Sequence, residues 1–250
     1  MKKRKNPYLP SALLVALFLI IWQAAAMGMN AAYILPSPVQ VLQRLWELRV
    51  PLFTAHLPAT MGVTLIGLGL SLALGVGLAL LMDVSPTAEK ALYPLIVASQ
   101  TIPTTALAPL FVLWFGYTIW SKVLVTVLMT FFPIVITVFD GFRAVKTDMI
   151  DLMTTFGAGK WQIFRKLKLP AALPYFFSAL KMAVPLSIIG AAIGEWLGAQ
   201  EGLGYFSRRM MTQLDGAGVF APILLLSVVA MLLVGVVSLI EKRVIKWRGE

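Results

Sequence analysis

The stretch Asp151 to Pro170, DLMTTFGAGKWQIFRKLKLP, holds four cations and one anion in a 250-residue chain that is 59% hydrophobic and only 13% charged. So polar a segment has to lie outside the apolar phase that the rest of the chain demands. Apolar runs flank it at about Lys122 to Phe142 and Tyr175 to Leu197. Each is as long as the roughly 20 residues that carry a helix across about 30 Å of hydrocarbon. Further out stand Pro58 to Met82, Ala91 to Phe115 and Val219 to Ile240, and a first run from Ser11 to Met27 follows Lys2-Lys3-Arg4-Lys5. The fold class is therefore all-α, a polytopic membrane protein with six transmembrane helices. A soluble globule of this composition would lack the polar residues to coat itself. The first run reads as a retained helix, because the apolar core of a cleaved signal is only about 7 to 15 residues long.

With the amino terminus inside, sixteen of the 21 Lys and Arg residues fall on the cytoplasmic side and five outside. Basic loops resist translocation, so both termini and the loop 143–174 are expected in the cytoplasm. The chain divides into residues 1–57, a transmembrane helix plus an external helix, and residues 58–250, a five-helix core that carries this loop. Between the first two runs Ser37 to Leu48, SPVQVLQRLWEL, opens on a helix-start signal and lines up Val39, Leu42, Leu45 and Trp46. It reads either as a helix in the outer interface or as a short soluble one.

The net charge of +10 lies between apolar runs and not on one basic face, which argues against nucleic acid. With no cysteine there is neither a disulfide nor a thiolate site. A single histidine, His56, builds no ordinary zinc site and reads as interfacial. Gly69, Ala73 and Gly77 recur every four residues, a line along which another helix can approach. Pro103, Pro109, Pro133 and Pro185 each remove a backbone donor from a span. Such breaks are tolerated where protein or a watery cavity satisfies the freed carbonyls.

Within the polar loop, Asp148 is placed to cap a helix in which Met149, Leu152, Met153 and Phe156 form an apolar stripe. Gly157 supplies a residue able to take positive φ. A second short helix, about Lys160 to Lys168, alternates Trp161, Phe164 and Leu167 with cations and should stop at Pro170. The stripe needs a cover, which could be the protein's own helix ends, lipid headgroups or another chain. Gly157-Ala158-Gly159-Lys160 is no phosphate loop, since Thr154 stands where the first glycine is required and Trp161 where a Ser or Thr is required. If ATP drives this protein, another chain binds it.

At this loop the sequence resembles the inner-membrane permeases of binding-protein-dependent ABC importers. Their signature is Glu-Ala-Ala, three residues, Gly, nine residues, Ile, any residue, Leu-Pro. Asp151-Leu152-Met153, Gly157, Leu167 and Leu169-Pro170 keep the spacing, with Asp for Glu, two bulky residues for two alanines and Leu for Ile. LPSPVQVL (Leu35 to Leu42), IPTTALAPLFVLWFG (Ile102 to Gly116), FFPIVITVFDG (Phe131 to Gly141) and GEWLGAQEGLG (Gly194 to Gly204) resemble landmarks of the nitrate, sulfonate, taurine and thiamine-precursor pyrimidine branch. The resemblance implies a permease subunit that carries no chemistry, metal or cofactor of its own. It also implies ATP and Mg on a pair of partner ATPase subunits, a second permease copy, an extracytoplasmic substrate-binding protein and a place in the inner-membrane bilayer. Asp151, Leu152, Met153, Phe156, Gly157, Leu167, Leu169 and Pro170 would then couple to the ATPase.

Polar side chains at membrane depth are the candidates for a pathway: Ser99, Gln100, Thr101 and Thr104 with Thr105 beside Pro103, and, more weakly, Thr126, Thr130, Thr137 and Ser187. Bonding of a Ser or Thr back onto its own helix is the ordinary alternative, which leaves Gln100 the strongest. Glu195 resembles the acidic residue the family carries before a Gly-Leu-Gly, and reads as part of an outer gate or as an interfacial carboxylate. The rival function, an ion-coupled secondary transporter, expects carboxylates at mid-membrane, and the deepest stretches have none.

Overall fold

A computed structural model describes residues 9–246. Lys2 to Lys5 and Arg248, used above for orientation, lie outside the described residues. All regular structure among those described is helical. Helix α1 (Leu9–Met29) is apolar on every side and buries only Ala26. It reaches the rest of the protein through Trp22, whose Nε1 donates to the Pro36 carbonyl at 3.0 Å and whose ring lies 5.8 Å from that of Phe220. Among the described residues five helices are long and apolar enough to cross a membrane, and a sixth span follows if one bent pair is counted.

Helix α2 (Pro38–Glu47) starts on a reciprocal cap between Ser37 and Gln40. The face expected for it splits. Val41 and Leu45 turn inward with Leu52, Leu203 and Phe206, while Val39, Leu42 and Trp46 stay exposed. Arg44 fastens α2 to the start of the last helix by a 2.8 Å ion pair with Asp215 and also holds Glu47 at 2.7 Å. Glu47 first, then Asp215, raises the Arg44 guanidinium above its ordinary range and keeps it charged.

Helix α3 (Arg49–Pro51), a π-turn over Leu52–His56 and α4 (Leu57–Val84) form one continuous rod. A second π-turn, Phe164–Lys168, sits between α9 (Lys160–Ile163) and α10 (Leu169–Gly198). Both π-turns end at a Leu-Pro step whose leucine N–H donates five residues back, Leu57 to Leu52 and Leu169 to Phe164. The wider turn makes room for a pyrrolidine ring that would otherwise clash with the carbonyl four residues earlier. Pro170 therefore starts α10 and does not stop the preceding helix, contrary to the sequence expectation. Pro133 and Pro185 likewise lie inside uninterrupted helices, α7 (Ile119–Arg143) and α10, and Pro109 inside α6 (Thr104–Phe115).

The run Ala91 to Phe115 is not one straight span. Helix α5 (Pro86–Ser99) and α6 meet at a 95° bend. Fourteen residues of α5 rise only about 21 Å, short of the about 30 Å of hydrocarbon, so α5 alone does not span it, and the pair is either one broken span or a re-entrant loop. Of the four prolines expected to break a span, only Pro103 does so.

Helix α7 is the centre, packed between α4 and α10. The line that admits it on α4 is Gly67, Ser71, Gly75 and Ala79, all buried, and not Gly69, Ala73 and Gly77, which face outward. Both lines have the same spacing, and only the partner's position distinguishes them. A Cβ on Gly75 would stand 2.7 Å from Ile134 Cγ2, and one on Gly190 of α10 would stand 2.8 Å from the Thr126 Cα. Ser71 Oγ and Thr130 Oγ1 are 2.5 Å apart across the α4–α7 seam. The remaining elements are α8 (Thr147–Thr155), α11 (Leu203–Thr212) and α12 (Gly216–Val244).

Candidate functional site

The loop 143–174 is a hairpin of α8 and α9. Helix α8 begins one residue before Asp148, with Lys146 at the N-cap position and no side-chain cap bond, so Asp148 lies in the first turn and is not the cap. A carboxylate there still favours the positive end of the helix. At the other end Gly157 takes φ +79°. The Ala158 N–H reaches the Met153 carbonyl at 3.0 Å and the Gly157 N–H reaches Thr154 at 2.9 Å, the paired bonds that close a helix on a left-handed residue. Beyond it the Gly159 N–H donates to Gln162 Oε1 at 3.0 Å. Ile163 is buried, and Phe164 lies 5.9 Å from Phe142 at the end of α7, which ties the hairpin's base to the bundle.

The tip is uncovered. Nothing in α8 is buried, and Phe156 is 82% exposed, Trp161 69% and Leu152 53%. Among the described residues the apolar stripe finds no cover on its own chain. Asp151 and Leu169 are exposed, while Met153, Leu167 and Pro170 are half-buried.

The bend between α5 and α6 brings the polar candidates together. The Ser99 hydroxyl donates to the Ile96 carbonyl at 2.8 Å and Thr101 to Ala98 at 2.7 Å, so both are occupied by their own helix. Gln100 is exposed and Thr104 half-buried. The other candidates are not with them. Thr130 bonds Ser71 and its own Thr126 carbonyl, and Ser187 donates to Val184 at 2.7 Å. Both are sealed within the protomer.

Glu195 is also fully buried, so it is no interfacial carboxylate in contact with water. Its Oε2 accepts from the Gly204 N–H at 2.8 Å and from Thr60 Oγ1 at 3.1 Å. Thr60 Oγ1 accepts from the Leu203 N–H at 2.8 Å, and His56 Nδ1 accepts from the Gly202 N–H at 3.1 Å. His56 is thus a buried acceptor and not an interfacial residue. Three side chains, from the first π-turn, α4 and α10, take up the free N–H groups at the start of α11. Gly202 (φ +118°) lies directly on the carboxylate, and any Cβ there would collide with it. Nothing in the sequence pattern tied His56 and Thr60 to α11. The one signal was the glycine pair around Leu203, since a backbone approached this closely has no room for side chains.

A bundle of five or six apolar helices long enough to cross a membrane, with one bent pair and an uncovered polar hairpin, defines a multi-pass membrane protein. Residues 67–246 match the family described as the inner membrane component of binding-protein-dependent transport systems, and the chain belongs to that family, the permease subunits of ABC importers. It is 51% identical to the formylaminopyrimidine transport permease protein ThiX of Halalkalibacterium halodurans, over 98% of both chains. It is 33% identical to the riboflavin transport system permease protein RibX of Chloroflexus aurantiacus, over 97% of this chain and 91% of that one. In fold it is similar to an inward-facing conformation of the MetNI methionine ABC transporter, with a TM-score of 0.50 and 19% identity, covering 84% of this chain and 96% of the other. The protein is a multi-pass component of the inner membrane.

Proposed function

We propose that the chain forms one half of the translocation pathway of an ATP-driven importer for a small heterocycle of the formylated aminopyrimidine class, delivered by an extracytoplasmic binding protein. The observation that carries the mechanism is the uncovered stripe Met149, Leu152 and Phe156 on a hairpin whose base is fixed to the bundle and whose tip is not. An apolar face of this kind on a rigid support suits insertion into a groove of a second protein, here an ATPase subunit that would hold ATP and Mg. The bias of the cations supports a cytoplasmic side for the hairpin and both termini. A second copy of the permease would complete the passage, with Gln100, Thr101 and Thr104 at the bend lining it. The identity to a formylaminopyrimidine permease supports the substrate class over the sulfonates, taurine and nitrate moved by more distant relatives. Buried Glu195 lends no support to an ion-coupled transporter, because its carboxylate serves the start of α11.

Alternating access follows from this arrangement. Closure of the two ATPase subunits draws the hairpins together, and α7 and α10, whose ends continue into the loop, are carried with them. The test is reconstitution in proteoliposomes with the partner ATPase and binding protein, with a cysteine at exposed Thr155, beside Phe156, for crosslinking. Uptake of a labelled formylaminopyrimidine should require ATP and all three components, and the cysteine should capture the ATPase. Solute movement by the purified chain unaided would overturn the reading.

A further inference from the structure

Asp83 lies one residue before the end of α4, and Lys168 ends the π-turn between the hairpin and α10. Though 85 residues apart in sequence, Lys168 Nζ stands 2.7 Å from Asp83 Oδ1, with the Asp83 side chain only 8% exposed. Beside the pair opens a cavity of about 770 Å³, lined by Leu80 and Val84 from α4 and by Ile150, Trp161 and Phe164 from the hairpin side. Hairpin and the end of α4 therefore face one another across an open groove, while Phe164 at the hairpin's base packs on the core cluster that includes Ala79 and Met82. No chain connection joins them, whereas α7 and α10 continue directly into the loop. What bridges the gap is a charge-assisted bond, short and directional.

We propose that the Asp83–Lys168 ion pair is a strut that, beside the α4–α7 seam, passes movement of the hairpin to the end of α4 and, through Ser85 at the N-cap of α5, to the bent pair with Gln100. The proposal rests on the reading of the hairpin as the ATPase contact. Asp83 and Lys168 are positioning residues: they touch neither solute nor nucleotide, and they set how much of the motor's stroke arrives at the pathway. A buried carboxylate opposite a lysine at the edge of this groove gives a short, directional link between the two elements.

The test uses the complete complex in proteoliposomes, measuring labelled formylaminopyrimidine moved per ATP hydrolysed. Asp83→Asn and Lys168→Met should each lower this ratio about 5- to 10-fold, within the usual range for coupling between linked sites. A Thr155→Cys crosslink to the ATPase, from an exposed position beside Phe156, should persist in both. The exchanged pair, Asp83→Lys with Lys168→Asp, should recover at least half of the ratio. A readout independent of solute is the distance between spin labels at Ser85→Cys on the two permease copies. It should change on addition of ATP in the parent and in the exchanged pair, and stay fixed in Asp83→Asn. An unaltered ratio and label distance in Asp83→Asn with the crosslink intact would overturn the strut alone. A loss that the exchange does not recover would also overturn it, because the side chains would then serve only local stability. Failure of the parent crosslink would overturn the hairpin reading, and the strut with it.

Discussion

Phe156→Ala separates the two jobs a residue can have, holding the fold and meeting a partner. The ring is 82% exposed, so the folded chain has gained little from burying it. Complete burial of a phenylalanine side chain contributes about 1.5 to 3 kcal/mol, and roughly four-fifths of that remains to be gained on docking, about 2 kcal/mol. Truncation should therefore leave thermal unfolding of the detergent-solubilised permease within about 0.5 kcal/mol of the parent. Affinity for the ATPase subunit should fall about 30-fold, since 1.4 kcal/mol is a factor of ten. The assay is titration of the purified ATPase against permease in nanodiscs, beside a melting curve of the permease alone. A variant that melts early yet binds the ATPase with parental affinity would refute the reasoning, because the ring would then be packed within its own chain.

Gly157→Val places a β-branched residue at φ +79°, where strain of about 1 to 3 kcal/mol is expected; ATP-dependent uptake should be lost while membrane insertion, followed by fractionation, is retained. Gly75→Val drives a side chain into Ile134 and should destabilise the α4–α7 seam by about 1 to 3 kcal/mol, read as a lower unfolding midpoint in detergent. Glu195→Ala leaves the Gly204 N–H without its buried acceptor, a cost of about 1 to 3 kcal/mol, while the Thr60 hydroxyl keeps the His56 carbonyl; Glu195→Gln, which keeps an acceptor oxygen, should lose less. Hydrogen exchange across Leu203 to Phe206 would distinguish the two.

Helix number and the loop were readable because they depend on properties local to the chain: runs of apolar residues, cation placement, a glycine at a fixed offset. The line of small residues was read two positions off, since Gly69-Ala73-Gly77 and Gly67-Ser71-Gly75 satisfy the same rule and only α7 chooses between them. Pro170 was misread for a related reason. A proline tells where an α-ladder loses a donor, but not that a π-turn can accommodate the ring. Ser187 and Thr130 looked like pathway residues because polarity at membrane depth has two uses, lining water and bonding inside a bundle, and the linear pattern is the same for both. His56 and Thr60 serve α11 over some 140 residues of sequence, a separation no local pattern spans.

Each π-turn amounts to one residue more than an α-helix of equal rise would use. Deleting a single residue from Phe164–Lys168 would let the helix rewind into ordinary register and swing everything ahead of it by about 100° around the α10 axis. The aim of the tip thus depends on one surplus amino acid in the neck, held open there by the proline ring two positions past it.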